Sequence, residues 1–294
     1  MSRWLVVVNP LAGRRPIDPT LVRETLRAVG VEADMEVPAS ADGMIDLLRR
    51  EAAAGRTHFA VAGGDGTVNL AANALIPMSL EPKPVIGVLP AGTGCDLLRT
   101  FGLPQDPRSA AQHLATEDIY DIDVVTLEGT WGTRYFVNVA QTGVGAAAAV
   151  TAPRLSRRLG PVRYPIAFGL RLPLFPRATV RVATEKREIE SGALAVIVAN
   201  AQFFAGGWNV APKATLVDGV VDIQVIDITK ARAPALVPKV IKGTHLADRA
   251  VRRWSATEFS IETDPEWPVE ADGDHVGNTP VRGRVLPAAL RLKI

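Results

Sequence analysis

The sequence has little of what marks secreted, membrane-spanning or nucleic-acid-binding proteins. Its single cysteine, Cys95, excludes an intrachain disulfide framework and a cysteine-based zinc site, and we expect a cytoplasmic location. No run reaches the roughly 20 apolar residues of a transmembrane helix, and Leu5–Val8 is too short for the core of an export signal. The net charge of +2 gives no reason to expect a nucleic-acid partner. Any contact with a membrane is therefore expected from outside the bilayer.

What is present is typical of a folded chain with two domains. Of its 294 residues, 47% are hydrophobic and 22% are charged, which allows a large buried core. Up to about residue 118, apolar runs alternate with segments of helical periodicity, a pattern that predicts a parallel sheet covered by helices. After Ile119, strand-like runs such as Tyr135–Ala140 are separated by turn signals such as Asp218-Gly219 and Asp272-Gly273, which predicts an antiparallel β-sandwich. We predict an α/β domain over residues 1–125 and a β-sandwich domain over residues 126–294, with the last few residues packing back on the first domain.

Local signals predict where the helices of the first domain begin and end. Asp18 is a candidate N-cap, Pro19 suits the first helical position, and Gly30 can end that helix. Apolar spacing predicts two more helices, over Ala41–Ala54 and Val68–Leu75.

A glycine-rich loop ends one of the predicted strands of this domain. Phe59–Ala62 leads into Gly63-Gly64-Asp65-Gly66-Thr67, and a helical segment follows. Glycines let the backbone approach an anion closely, and the N–H groups at a helix start favour negative ligands. The carboxylate of Asp65 would repel a phosphate unless a divalent cation or a substrate proton lay between them. The loop therefore favours phosphoryl transfer, with an ordinary strand-to-helix turn as the alternative.

Two further loops follow predicted strands and would open at the same edge of the sheet. Pro90-Ala91-Gly92-Thr93-Gly94 follows one strand, and Asn9-Pro10-Leu11-Ala12-Gly13 ends the first. Ligands of open α/β sheets bind at the carboxyl ends of the strands, so the loops predict one nucleotide cleft. The chain has no GxxxxGK[ST] sequence, and Gly143-Val144-Gly145 lacks the acidic ribose partner of a dinucleotide fingerprint. We expect those last glycines to serve packing.

The order and spacing of these motifs resemble the diacylglycerol-kinase catalytic family, which includes bacterial lipid kinases and the sphingosine and ceramide kinases. The matching pieces are Val8-Asn9-Pro10, Gly63 to Thr67 with Asn69, Pro90 to Gly94 with Asp96, Asn138-Val139-Ala140 with Gly143, Gly160-Pro161 with Tyr164, Ala211-Pro212 with Asp218-Gly219, and Asp272-Gly273-Asp274. The resemblance spans nearly the whole chain. It implies an ATP-binding domain like that of NAD kinase and phosphofructokinase, a β-sandwich, and an active site between them. The implied reaction is transfer of the γ-phosphoryl group of Mg-ATP to a lipid hydroxyl, most simply that of diacylglycerol.

The same resemblance implies roles for individual residues. The implied nucleotide contacts are Asn9, Ser40, Gly63, Gly64, Asp65, Gly66, Thr67, Gly92 and Thr93. Asp274 takes the place of the glutamate that is the proposed general base of bacterial members, and it is one methylene shorter. In sphingosine-kinase relatives the acid of the glycine loop is the proposed base, so Asp65 is the alternative. Asp121 aligns with an acid of a water network near the catalytic metal. A separate Mg²⁺ site is implied at Asp218 with the carbonyls of Thr215 and Val220.

Residues 153–177 contain no acidic side chain and interleave arginines with large apolar residues. The arginines are Arg154, Arg157, Arg158, Arg163, Arg171 and Arg177. Basic side chains among apolar ones favour an element that rests on the anionic headgroups of the inner membrane face. A helix that packs on the sandwich, with its arginines in water, is the alternative.

Two other functions stay open at this point, a soluble kinase of the NAD-kinase type and a non-catalytic nucleotide- or lipid-binding protein. The second would be favoured if Asp274 cannot reach a substrate. The expected partners are ATP, Mg²⁺ and a lipid at a membrane surface, without nucleic acid, and a homodimer is left open. Cys95 stands where the family usually has asparagine, and we expect it to pack rather than react.

Overall fold

The computed structural model describes residues 3–10, 12, 17–90 and 95–294, apart from the side chains of residues 157 and 161. The chain forms two compact units. The first runs to Asp123 and includes Pro287–Ile294, and the second is Val124–Leu286. The fold is an α/β unit with a parallel sheet followed by antiparallel sheets, as the sequence predicts.

The first unit begins with alternating strands and helices. The strands are β1 (Trp4–Val8), β2 (Ala33–Glu36), β3 (His58–Gly63) and β4 (Val85–Pro90), and the helices are α1 (Pro19–Ala28), α2 (Ala41–Ala53), α3 (Asp65–Leu75), α4 (Asp96–Thr100) and α5 (Pro107–Ala115), with a 3₁₀ turn at Ile76–Met78. Strand β5 (Ile119–Gly129) leads into the second unit.

The parallel sheet of the first unit has the strand order β2-β1-β3-β4. Strands β1 and β4 are buried along their whole length, which is typical of a parallel sheet covered by helices. Helix α1 starts where its signals indicate: Pro19 opens it, and the Asp18 carboxylate accepts a hydrogen bond of 2.8 Å from the Thr20 N–H. Helices α1 and α5 pack on one side through Leu26 and Leu114. These elements bring the ends of β1, β3 and β4 to one edge of the sheet.

The second unit is mainly antiparallel. Its strands are β6 (Gly132–Phe136), β7 (Val139–Gly143), β8 (Ala178–Thr184), β9 (Glu188–Ala193), β10 (Ala195–Ala199), β11 (Phe203–Phe204), β12 (Trp208–Asn209), β13 (Val221–Ile226), β14 (Val251–Ala256), β15 (Glu258–Asp264), β16 (Pro268–Ala271), β17 (Asp274–Asn278) and β18 (Val281–Lys293). Its helices are α6 (Val144–Thr151), α7 (Arg163–Arg171) and α8 (Ala233–Ile241), with 3₁₀ segments at Ala152–Arg154, Arg157–Val162 and His245–Ala247.

One six-stranded sheet has the strand order β14-β13-β10-β7-β16-β17. The other sheet of the sandwich has the neighbouring strands β18-β15-β8-β9, in that spatial order. A single core joins side chains of both sheets, including Val182, Val198 and Trp267. The end of β18 returns to the first unit, where Arg291–Lys293 pair in parallel with β4.

One local prediction for the second unit is wrong. The run Tyr135–Ala140 is not one strand, because the N–H groups of residues 137 to 139 donate to the Asp272 carboxylate and separate β6 from β7. The two turn signals do lie between strands. Asp218-Gly219 is in the connection from β12 to β13, and Asp272-Gly273 is the two-residue turn of the β16–β17 hairpin.

Within residues 3–10, 12, 17–90 and 95–294, no helix combines the length and the apolar character needed to cross a bilayer.

Candidate phosphoryl-transfer site

The glycine loop joins the end of β3 to the start of α3. The carbonyl of Gly64 accepts hydrogen bonds from the Thr67 N–H (2.9 Å) and the Val68 N–H (3.2 Å). A Cβ atom on Gly63 would lie 2.2 Å from Thr67 Oγ1, so this position has to be glycine. Thr67 Oγ1 also accepts a hydrogen bond of 3.0 Å from Asn9 Nδ2, which ties the end of β1 to the loop. Two of the predicted nucleotide contacts, Asn9 and Thr67, are therefore neighbours.

A small cavity lies beside Asn9 at the carboxyl ends of β1 and β2. Its volume is about 110 Å³, and its lining includes Asn9, Ser40, Met44 and Leu70. Ser40 also caps α2, because its Oγ accepts a hydrogen bond of 3.0 Å from the Gly43 N–H. Ser40 and Asn9 thus line the same cavity. Gly92 and Thr93 lie outside the described residues.

Asp65 has partners that the sequence argument did not include. Its carboxylate accepts hydrogen bonds from the Asp96 N–H (2.9 Å) and the Leu97 N–H (3.0 Å), and the Cys95 thiol lies 3.3 Å away. The first turn of α4 therefore stabilises the negative charge of Asp65. This gives Asp65 a structural role at the start of α4, and its role toward a nucleotide or a proton stays a prediction.

Cys95 is fully buried, as predicted. Burial raises the pKa of its thiol well above the usual range, and the nearby Asp65 carboxylate acts in the same direction. The thiol is therefore a poor nucleophile. Asp96 is also buried, and its carboxylate forms an ion pair of 3.3 Å with Arg99.

The Asp-Gly-Asp motif lies on the β16–β17 hairpin of the second unit. Asp272 and Gly273 have φ angles of 47° and 93°, which suits a two-residue turn with positive φ at both central positions. The side chain of Asp274 is 59% exposed and lies 3.3 Å from the Arg134 guanidinium. An exposed ion pair of this kind is weak. Of the two acids in the motif, Asp274 is the one whose carboxylate is open to a substrate.

Sequence reasoning missed Glu270, which lies four residues before Asp274. Glu270 is only 2% exposed, and its Oε2 accepts a hydrogen bond of 2.7 Å from Gln141 Nε2. Its Oε1 accepts the N–H of Gly273, in the turn itself. Burial raises the pKa of Glu270 to about 7, and the nearby carboxylates of Asp272 and Asp274 add to that effect. The signal in the sequence was an acid at the centre of the short apolar strand β16.

The other predicted acids are exposed. Asp121 belongs to the first unit, where its side chain is 60% exposed and lies 3.6 Å from Arg291 Nε. Asp218 and Thr215 are exposed in the second unit, and the Asp218 carboxylate accepts a hydrogen bond of 3.2 Å from the Val220 N–H. Across the described ranges, no group of three or more His, Cys, Asp or Glu side chains could hold a metal ion. The predicted magnesium donors at Asp218 therefore depend on main-chain oxygens.

The second unit also contains an apolar cavity of about 70 Å³. Its lining comes from α6, α7, α8 and the strands beneath them: Gln141, Val144, Gly145, Tyr164, Phe168, Leu194, Ala195, Ile197, Phe204, Trp208, Val210, Ile226, Ile228, Ala233, Leu236, Val237 and Val240. The rings of Tyr164, Phe204 and Trp208 meet edge to face, with centroids 5.4 to 5.9 Å apart. The polar side-chain groups of this lining are the hydroxyl of Tyr164, the amide of Gln141 and the indole N–H of Trp208. The cavity therefore suits an apolar ligand.

Helix α7 forms one wall of this cavity with Tyr164 and Phe168 and also has an apolar outer face. This exposed apolar set, called here the α7 stripe, consists of Ile166 and Leu170 on the helix, Val162 just before it and Leu174 three residues after its end; the four side chains are 37% to 80% exposed. Arg154 and Arg158 are exposed close by in the sequence. The helix packs inward through Tyr164, Ala167 and Phe168, as the alternative interpretation expects, while the α7 stripe is exposed, and contact with a membrane stays a prediction.

The glycines of the Gly143-Val144-Gly145 sequence serve packing, as predicted. Gly143 has a φ of 105°, and a Cβ there would lie 2.5 Å from the carbonyl oxygen of Leu194. A Cβ on Gly145 would lie 2.0 Å from Gln141 Oε1.

Comparisons with known proteins agree with this architecture over the whole chain. The family model described as "diacylglycerol kinase catalytic domain" matches residues 3–127, and the "YegS C-terminal NAD kinase beta sandwich-like domain" matches residues 138–294. The chain is 30% identical to a diacylglycerol kinase of Mycobacterium tuberculosis, with 99% of this chain and 95% of the relative covered. It is 28% identical to a "probable lipid kinase YegS-like" of Xanthomonas euvesicatoria, with 100% and 96% covered.

The fold also matches a solved structure of a diacylglycerol kinase from Bacillus anthracis, with a TM-score of 0.74 at 22% identity. That alignment covers 99% of this chain and 96% of the other. The two units and their motifs thus define a phosphotransferase that acts on a lipid alcohol, and a kinase of this kind uses ATP. The chain belongs to the diacylglycerol kinase catalytic-domain family.

Proposed function

We propose that the chain transfers the γ-phosphoryl group of Mg-ATP to the free hydroxyl of diacylglycerol at the inner face of a membrane. The observation that carries this proposal is helix α7, which lines an apolar cavity on one side and exposes the α7 stripe on the other. A soluble acceptor such as NAD would need neither feature.

The character of the cavity lining supports an apolar acceptor. Its side chains are apolar except for Gln141, Tyr164 and the indole N–H of Trp208, so burial of hydrocarbon there is favourable at about 25 cal/mol per Å² of apolar surface. The volume of about 70 Å³ is well below the roughly 300 to 1,000 Å³ of a ligand pocket, so entry of an acyl chain requires the lining to open. A hydroxyl, ester or glycerol oxygen could be oriented by the polar groups of the lining. Diacylglycerol combines acyl chains with a single free hydroxyl, and we therefore take it as the acceptor.

The α7 stripe supports peripheral docking. Leu170 and Leu174 are 55% and 80% exposed, and Arg154 and Arg158 carry positive charge in the same segment. An apolar face flanked by arginines binds at the boundary between anionic headgroups and acyl chains. The same helix would then bring the cavity wall to the membrane surface from which the lipid is taken.

In the proposed reaction the lipid hydroxyl oxygen attacks the γ-phosphorus of ATP. The bond from the γ-phosphorus to the β–γ bridging oxygen breaks, ADP leaves, and the hydroxyl proton passes to a carboxylate. We assign that carboxylate to Asp274, which is exposed on a rigid two-residue turn, with Asp65 as the alternative. The proposed nucleotide contacts are Asn9, Ser40 and the loop from Gly63 to Thr67, together with Gly92 and Thr93.

Magnesium would neutralise charge on the transferred phosphates. A separate Mg²⁺, away from the nucleotide, is proposed at the Asp218 carboxylate with the carbonyls of Thr215 and Val220. Oxygen donors suit Mg²⁺, which keeps several waters and takes few carboxylates. The exposed position of Asp218 and the absence of a cluster of acids among the described side chains fit a hydrated ion rather than a closed cage.

The test is a phosphorylation assay with labelled ATP and Mg²⁺. The acceptors are diacylglycerol in anionic vesicles, the same vesicles without it, sphingosine, ceramide and NAD. We expect label in phosphatidic acid, with none transferred to NAD. Labelled NAD would support the soluble-kinase alternative, and no labelled acceptor would support a binding protein. Either result would contradict the proposal.

A further inference from the structure

Glu270 lies beneath the turn that presents Asp274 and is bonded to it. Its Oε1 accepts the main-chain N–H of Gly273, the residue between the two aspartates of the motif. Glu270 is buried, so it has no access to an acceptor lipid, and its effect on the reaction has to pass through the turn.

The other carboxylate oxygen of Glu270, Oε2, is connected by hydrogen bonds to residues that line the apolar cavity. Gln141 Nε2 donates to Glu270 Oε2 at 2.7 Å and to the Tyr164 hydroxyl at 3.4 Å. That hydroxyl donates in turn to the carbonyl oxygen of Gly145 at 3.3 Å. Gln141, Tyr164 and Gly145 all line the cavity.

The backbone is shaped to allow this hydrogen-bonded chain. A Cβ on Gly145 would lie 2.0 Å from Gln141 Oε1 and 3.2 Å from the Tyr164 hydroxyl. Any larger residue at position 145 would therefore displace the Gln141 amide.

We propose that Glu270 is a positioning residue, which holds the Asp274 turn through the Gly273 N–H and is itself oriented by Gln141 and Tyr164 from the cavity wall. This inference rests on the proposed function, because it takes Asp274 as the base for an acceptor bound in that cavity.

The hydrogen bonds determine which form of Glu270 holds the turn. Gln141 Nε2 and the Gly273 N–H are both donors, and an ionised carboxylate can accept both. A protonated Glu270 would direct its own hydrogen at one of them, and that bond would be lost. The ionised form therefore holds the turn, and turnover should rise as Glu270 loses its proton.

Other charged groups face Glu270 as well. Asp272 and Asp274 lie on the turn, Tyr164 is on α7, and His275 is paired with Glu270 across the β16–β17 ladder. Arg134 contacts Asp274 from β6. His275 is exposed and lies opposite Glu270 in the ladder, so it needs its own variant as a control.

The activity test measures kcat for diacylglycerol between pH 5.5 and 9. The kcat of wild type should increase with pH, with a midpoint near pH 7, because burial raises the pKa of Glu270 to about 7. E270Q should lose that rise and show a kcat about tenfold lower at pH 8, with the KM for ATP unchanged. Y164F should keep the rise with a shifted midpoint.

Two control variants separate positioning from structural damage. T142V changes the next residue of β7, whose side chain bonds to the Pro268 carbonyl at 2.9 Å and points to the opposite face of the strand. T142V should lower the free energy of unfolding without moving the midpoint of the pH dependence of kcat. H275Q should leave the increase of kcat with pH unchanged. A rise that persists in E270Q, or disappears in H275Q, would overturn the proposal.

A second readout needs no acceptor lipid. The sequence has four Asp-Gly pairs, at 42–43, 65–66, 218–219 and 272–273, so labelling with ¹³C′-Asp and ¹⁵N-Gly leaves four amide signals. The Gly273 signal should titrate near pH 7 in wild type and stay still in E270Q. If it titrates but no lipid is phosphorylated, the proposed function fails and the bond to Glu270 stands. A Gly273 signal that ignores Glu270 would refute the positioning role.

Discussion

Asp65 and Asp272 direct their carboxylates at main-chain N–H groups. Asp65 bonds to the start of α4, and Asp272 bonds to three successive N–H groups between β6 and β7. Asp274 lies two residues from Asp272 and is exposed beside one arginine. Glu270 is buried with two donors. Acidic residues thus brace a helix, brace a loop, lie exposed to solvent or accept the N–H of a turn, according to the donors around them.

Replacing Asp65 by alanine should destabilise the first unit. The variant leaves the N–H groups of Asp96 and Leu97 without their acceptor, and loss of such a cap costs about 1 to 2 kcal/mol. Urea unfolding followed by far-UV circular dichroism would measure the change. D46A removes an exposed acid from α2 and should change stability by less than about 0.5 kcal/mol. Equal stability of D65A and D46A would contradict the bracing role.

Asp274 can be tested by lengthening and by neutralising its side chain. We expect D274E to keep or raise kcat, because the family's usual glutamate reaches one methylene further. D274N keeps the size but removes the basic oxygen, and it should lower kcat by about 100-fold or more. Both variants should unfold like wild type, since Asp274 is exposed. An active D274N would instead point to Asp65 as the base.

At the scale of elements, α7 has apolar residues on two sides. Tyr164 and Phe168 line the cavity, while Leu170 and Leu174 of the α7 stripe are in water. A helix in a globular protein usually has one apolar face, which packs inward. A second apolar face that is exposed indicates an interaction surface.

The double variant L170S/L174S should bind anionic vesicles more weakly than wild type. Each leucine that leaves the interface forfeits about 1.5 to 3 kcal/mol of burial, so we expect at least a tenfold loss of affinity. Cosedimentation with phosphatidylglycerol vesicles would measure it. L21S is a matched control, because Leu21 on α1 is 54% exposed and Leu170 is 55% exposed. An equal loss of vesicle affinity in L21S, or unchanged vesicle binding by the double variant, would contradict docking through α7.

At the scale of the whole molecule, Glu270 makes the stability of the second unit depend on pH. Burial raises its pKa from 4.5 in the unfolded chain to about 7 in the folded one. Between those two values the folded state holds the proton more tightly than the unfolded state does, so stability falls as pH rises. The full shift corresponds to about 3 kcal/mol, present below pH 4.5 and lost above pH 7.

Comparison of wild type with E270Q isolates this contribution. Urea unfolding can be followed by tryptophan fluorescence, which reports mainly on the second unit because four of the five tryptophans, Trp131, Trp208, Trp254 and Trp267, lie there. The variant should gain stability relative to wild type between pH 5 and pH 8. If the difference in the free energy of unfolding between E270Q and wild type stayed constant from pH 5 to pH 8, Glu270 would not titrate in this range.

Several features could be predicted from the sequence because their causes are local. Asp18 and Pro19 start α1, and Asp-Gly is a residue pair that favours a two-residue hairpin turn, which is what Asp272-Gly273 forms. The Asn9 and Gly63–Thr67 motifs follow β1 and β3, which are parallel neighbours in the sheet, so they meet at one edge of it. Tyr135–Ala140 was mispredicted because the apolar run carries no sign of the carboxylate that interrupts it.

The alternation of strands and helices, the two kinds of sheet and the membership of a lipid-kinase family could be read from the chain, since they depend on periodicity, caps and ordered motifs. The surroundings of the acids could not, because they arise from contacts between residues far apart in the chain. Asp65 meets α4 across 31 residues, Glu270 meets Gln141 across 129, and Asp272 meets Val137 across 135. Such partners come together only when the sheets assemble, and the burial that raises the pKa of Glu270 exists only then.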